Sequence, residues 1–215
     1  MKLKNKSIAT LLASITLFGS VALAQNPSPD ELFNKGGSFY EQKNYAEAFK
    51  YFKTAADQNH TVAQTNVGIM LIKGLGVDQN IQEGLKYTEK AVEAGDDQAQ
   101  YNLASFYFRG DVVKQDLKKA GDLFEKSANQ GNVKAQHDLG SMYLMGQGKP
   151  QDIKKAAEWM QKSASKGHPG SLYNLGIMYK RGEGMPQDIG KAKEMFSKSC
   201  DIGFKQACES LKNLK

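Results

Sequence analysis

The sequence is poor in the residues that most chemistry needs. It has two cysteines and three histidines in 215 residues. Cys200 and Cys208 are too few for an all-cysteine zinc centre, and their spacing is not Cys-x-x-Cys. His60, His137 and His168 fall in three separate segments, with no ligand or triad spacing joining them, so they read as polar surface residues. Neither a metal nor a cofactor is expected. Charge of one sign is also scarce. Lys and Arg number 29 against 23 Asp and Glu, and the two signs are interleaved, which reads as a solvated surface and not as a nucleic-acid interface. Gly-rich pieces such as Gly182-Glu183-Gly184 lack a following Gly-Lys-Ser/Thr, so they are turns and not phosphate loops.

The only long apolar run is at the start. Lys2, Lys4 and Lys6 precede a mostly apolar stretch, Ile8 to Ala24, that ends in the small-x-small sequence Ala22-Leu23-Ala24. This reads as a secretory signal peptide, residues 1–24, cut between Ala24 and Gln25. No cysteine follows the small residues, which argues against a lipid anchor there. Cleavage removes three lysines and no acids, and leaves 191 residues at net charge +3, with no membrane span and a periplasmic or secreted location. In an oxidising compartment the close, even pair Cys200 and Cys208 is a disulfide candidate.

What the chain does have is a period. Ala63, Ala99, Ala135, Ser171 and Ala207 recur every 36 residues, and Gly95, Gly131, Gly167 and Gly203 keep the same phase. So do Asn80, Asp116, Asp152 and Asp188. A fixed period of this length predicts an all-α solenoid of stacked antiparallel helix pairs, with about eleven helices. The expected units are 25–62, a shorter N-terminal cap, then 63–98, 99–134, 135–170 and 171–206, and a capping helix at 207–215. Ser28 with Glu31 predicts a capping box, and Asp116 predicts an N-cap for the second helix of its unit. Gly110 and Gly131 predict helix stops. Small residues recur at Gly68, Ala104, Gly140 and Gly176 and let helices approach. Tyr87, Leu123, Trp159 and Met195 are expected to fill the space between helices. On one straight helix eight residues would separate the two cysteines by roughly 12 Å. A disulfide needs about 4.4 to 6.8 Å between Cα atoms, so the pair requires the turn that Gly203 supplies.

Residues 31–62, with their tight interhelix loop, resemble a tetratricopeptide repeat. The later units, exemplified by LYNLGIMYKRGEGMPQDIGKAKEMF (Leu172 to Phe196), resemble Sel-1-like repeats. Their shared pattern is Leu-Gly-x-x-Tyr, a Gly-x-Gly loop, an Asp, then Lys-Ala and an aromatic. The second unit departs from it with Leu71 and Gly84, and the third with Ala104, Asp111 and Val112; these units are expected to bend or fray. The Cys-x7-Cys spacing is similar to that of the secreted cysteine-rich members, here as a staple on the end helix. The resemblance implies a non-catalytic, monomeric scaffold or adaptor of the cell envelope that binds a protein or peptide, including the toxin-neutralising immunity type. The expected lining, on the first helix of each pair, is Gln100, Tyr101, Asn102, Gln136, His137, Asp138, Tyr173 and Asn174. The alternative implied by some relatives is a β-lactamase-like hydrolase or a binder of peptidoglycan fragments. Ser163-Ala164-Ser165-Lys166 fits Ser-x-x-Lys, but Ser-Asp-Asn and Lys-Thr-Gly are absent, so no catalytic residue is assigned.

Overall fold

The computed structural model describes residues 26–214, so the signal-peptide reading of residues 1–24 and the Ala24–Gln25 cut lie outside the described residues. The described residues form eleven helices and no strand. The first helices of the pairs (A helices) are α1 (Pro29–Glu41), α3 (Thr61–Lys73), α5 (Asp97–Arg109), α7 (Val133–Met145) and α9 (Pro169–Arg181). The second (B helices) are α2 (Tyr45–Asp57), α4 (Ile81–Glu93), α6 (Leu117–Asn129), α8 (Ile153–Ser165) and α10 (Ile189–Asp201), and α11 (Lys205–Lys212) closes the end. Each helix packs on its sequence neighbours, as a one-dimensional stack requires. None of these helices is long and apolar enough to cross a membrane.

Caps explain why the helices start where they do. Ser28 and Glu31 form the expected capping box on α1. The Asp116 carboxylate accepts from Lys119 N at 2.9 Å, and Asp152 and Asp188 repeat the bond. The A helices begin two residues before Ala63, Ala99 and Ala135, because His60, Asp96, Asn132 and His168 cap them. Gly110 takes the expected left-handed conformation, φ 71°.

Two further ladders repeat with the units. The side chains of Gln79, Gln115, Gln151 and Gln187 donate to the carbonyls of Ile72, Phe108, Leu144 and Lys180, at 2.8 to 3.0 Å. They satisfy carbonyls that a helix end leaves free. Ser127, Ser163 and Ser199 donate to the carbonyls of Asp97, Val133 and Pro169, at 2.7 to 2.9 Å, and so tie each B helix to the first turn of its own A helix.

The core follows the small-residue register. A Cβ on Gly176 would lie 2.5 Å from the Phe196 ring, and one on Gly140 would lie 3.2 Å from Met160. The residues that fill these places, Phe124, Met160 and Phe196, are fully buried. They stand one position after the residues expected there: Leu123, Trp159 and Met195 are only partly buried at the edge of the core, while Tyr87 is buried. Trp159 instead lies under the Lys162 ammonium, 3.7 Å from its ring centre. Between units, the loop residue Gly148 sits against the Leu117 carbonyl that opens α6, where a Cβ would be 2.6 Å from the carbonyl carbon. In the third unit Val112 takes that place, and it packs with Ile72, Leu103 and Phe106.

Candidate binding face

Two hollows open along the A helices. The larger, about 570 Å³, crosses α1, α3 and α5 and is lined by Tyr40, Asn66, Ile69, Lys73, Tyr101 and Asn102 among others. The smaller, about 230 Å³, lies between α5 and α7 over Phe124, with Asp138 on its wall. They share Tyr101, Ser105 and Arg109, so they are two parts of one trough.

Of the eight expected lining residues, Tyr101, Asn102 and Asp138 are brought to these hollows. Gln100 and Gln136 are not: both are buried. Gln136 donates to the Ala128 carbonyl at 3.1 Å, as Gln64 does to Ala56, while Gln100 accepts from Gln130 at 2.9 Å. Gln64 and Gln136 thus serve helix-end carbonyls of the preceding B helix, which need partners where they are buried. Tyr173 packs on Phe196 and Phe204, and Asn174 points to the Met160 sulfur at 3.8 Å. The His137 ring lies against that of His168, tilted by 30° with ring centres 4.4 Å apart, and its Nδ1 lies 2.9 Å from the buried Ser171 hydroxyl. Sequence reasoning missed Tyr40, Asn66, Lys73, Arg109, Phe108 and Met145; the register was the available signal, since Asn66 precedes Asn102, and Lys73 precedes Arg109, by one period of 36 residues.

The surface reading of the histidines is therefore corrected. His60 and His168 accept helix-starting amides, from Ala63 at 3.0 Å and Ser171 at 3.2 Å. His60 also stacks on Phe33 and points Nε2 at Asp30, 3.3 Å away. Burial, with His168 alongside, pushes the His137 pKa down to about 4, so its ring is neutral at pH 7. Burial also lowers that of His168, with Lys134 adding to the effect.

Asp138 is displaced the other way. Burial raises its carboxyl to about 6, against the opposing pull of the Tyr101 hydroxyl and of Lys134 and Arg109. Tyr101 is raised by burial and by the Asp138 charge. No group of three His, Cys, Asp or Glu side chains suited to a metal exists among the described residues. The Ser-x-x-Lys residues are committed elsewhere. Ser163 is buried with its hydroxyl on the Val133 carbonyl, and the Lys166 ammonium donates to the Gly131 carbonyl at 2.7 Å. A nucleophile needs an accessible oxygen and a base beside it, and Ser163 has neither. At the far end Cys200 and Cys208 are bonded, with Cα atoms 4.8 Å apart across the Gly203 turn.

The comparisons agree with this architecture. The Sel1 repeat family model matches residues 31–60, 61–96, 97–132, 133–168 and 169–204. Among solved structures, c5321 of uropathogenic Escherichia coli, a protective antigen displaying an SLR fold, is 32% identical with a TM-score of 0.79. That match covers 85% of this chain but only 40% of c5321, so the chain spans less than half of that relative. A Sel1 repeat protein from Oxalobacter formigenes is 31% identical with a TM-score of 0.80, over 86% of this chain and 77% of its own. No curated protein matches the sequence. With five matched repeats in phase over ten capped helices and their end helix, the chain belongs to the Sel1 repeat family.

Proposed function

We propose that this chain is an extracytoplasmic scaffold that holds a segment of a protein or peptide partner along its A helices. The observation that carries the reading is the trough itself. It runs across four successive A helices, through two hollows that share Tyr101, Ser105 and Arg109. Its shape is elongated, which suits a chain segment better than a compact metabolite. Its walls combine apolar surface from Phe33, Tyr40 and Ile69 with amides from Asn66, Gln98 and Asn102. Apolar surface supplies binding energy, while side-chain amides can serve both the donors and the acceptors of an extended peptide backbone. The extracytoplasmic location rests on the N-terminal sequence and is compatible with the bonded cysteines. The commitment of Ser163 to a backbone carbonyl speaks against the hydrolase alternative.

The test is affinity capture by the mature chain, residues 25–215, from the extracytoplasmic fraction of its own cells. The expected result is one stoichiometric protein, retained by the wild type and lost with the double variant Asn66→Ala, Asn102→Ala, whose melting temperature stays within about 2 °C. Equal capture by the double variant would remove the A-helix face from consideration. Turnover of a chromogenic β-lactam that Ser163→Ala abolishes would overturn the scaffold reading altogether.

A further inference from the structure

Resting on that reading of the A-helix trough, we infer that the small pocket between α5 and α7 receives a lysine-type alkylammonium side chain of the bound segment, with Asp138 as its anionic anchor. Ser105 gives its hydroxyl proton to the Tyr101 carbonyl at 2.9 Å, and Ser141 gives its own to the His137 carbonyl at 3.1 Å. Both serines line the pocket, and with their protons spent their oxygens have lone pairs left. The Tyr101 hydroxyl favours the Asp138 carboxylate and lines the same pocket. The polar groups of this wall are thus rich in acceptors. A primary ammonium has three donors and no acceptor, so its chemistry is the complement.

Charge points the same way. Among the described residues Asp138 is the only carboxylate on the pocket wall. Neighbouring acids already hold cations: Asp122 and Glu125 share Lys149 at 2.8 and 2.7 Å, and Asp111 takes Arg109 at 2.7 Å. Among the described residues Asp138 has no ion pair within 4.0 Å. Arg109, the one cation lining the pocket among the described residues, is held by Asp111 and lies over the Phe106 ring. Lys134 lies one turn away on α7 and does not pair with Asp138. From α6 the facing side chain is Phe124, and from the following loop Gln147, neither of which is charged. Phe108 and Met145, with buried Phe124 and Met142 beneath them, make an apolar wall that suits the methylene stem of a lysine. Met145 stands 59% exposed at the pocket, placed to cover a stem that enters.

The carboxyl raised by burial adds a signature. A cation in the pocket would favour the ionised form, so binding should release the proton and weaken as pH falls through 6. The experiment titrates the full mature chain with Nα-acetyl-lysine methylamide, and separately with its norleucine counterpart, and reads amide and methionine methyl NMR signals. The expected result is saturable shifts centred on Tyr101, Asp138, Met142 and Met145 with the lysine compound, at least about tenfold weaker with norleucine. Asp138→Asn should lower the lysine affinity about tenfold or more and leave it flat with pH. The wild type should lose about tenfold between pH 7.5 and pH 5, where a carboxyl near 6 is mostly protonated. No shifts, equal binding of the two compounds, or unchanged binding in the variant would overturn the inference. Because the probe is a small molecule, capture of a protein partner together with an unresponsive pocket would refute this inference alone and leave the trough reading standing.

Discussion

Replacing Gly148 by alanine tests how the units are joined. Gly148 lies at φ 69°, a conformation that costs an L-residue about 1–2 kcal/mol. Its Cβ would also overlap the Leu117 carbonyl and come within 2.7 Å of the Met142 methyl. The methionine can turn aside, but the carbonyl is backbone at the start of α6 and cannot. Ordinary contact is restored only if the two units separate locally by about 1 Å, and a gap of that size forfeits a quarter to a half of the dispersion energy of the atoms facing it. Overpacking of this kind costs about 1–3 kcal/mol. The total is then about 2–5 kcal/mol. Gly167→Ala is the matched control: its φ is 80°, and a Cβ there has nothing within 4 Å. It should lose only the conformational part, about 1–2 kcal/mol. At about 2–4 °C per kcal/mol for a chain of this size, Gly148→Ala should melt several degrees below Gly167→Ala. Urea unfolding followed by circular dichroism at 222 nm measures both. If the two alanine variants agree within about half a kcal/mol, the close approach of loop and helix does not hold the units together, and the reasoning fails.

Three other outcomes follow from the same structure. His137, near 4 when folded against 6.5 when free, contributes stability that is present above pH 6.5 and lost as pH falls towards 4, roughly 2 kcal/mol of it by pH 5. Asp138, near 6 against 3.8, works in reverse and returns roughly 1 kcal/mol by pH 5. Melting temperatures from pH 7.5 to 5 should therefore fall more steeply in Asp138→Asn than in wild type, and His137→Gln should flatten or invert the slope; identical profiles in all three would refute the assignment. Ser163→Ala removes a buried hydrogen bond to the Val133 carbonyl and should lower stability by about 1–3 kcal/mol, measured by urea titration; no change would mean that the serine ladder contributes nothing. The paired change Cys200→Ser, Cys208→Ser opens a short loop and should cost about 2–3 kcal/mol, seen as faster hydrogen exchange confined to α11; protection unchanged in Lys205–Lys212 would contradict the staple.

Much of the architecture is legible from the chain because its causes are local. A carboxylate at Asp116 satisfies amides three residues on, and Gly110 makes a left-handed turn whatever lies around it. Repetition then amplifies each weak local signal, since one period must bury what the previous one exposes. The binding face was less legible. Gln100 and Gln136 look like surface residues by composition, yet both are buried, Gln136 on the Ala128 carbonyl and Gln100 on the Gln130 amide. Tyr101 and Asp138, one and two residues further along their helices, face the trough.

The sequence by itself determined the period, the helix count, the capping box of α1, the Asp116 cap of α6 and the recurring small positions, because each depends on contacts within a unit or with the next one. Only the tertiary structure decided between neighbours on a helix: Phe124 over Leu123 for the core, Tyr101 over Gln100 for the face. The physical reason is angular. Adjacent residues differ by about 100° around a helix, and a broad apolar stripe admits either. Which one is buried depends on how the helices of successive units pack against each other, and that packing is a property of the stack.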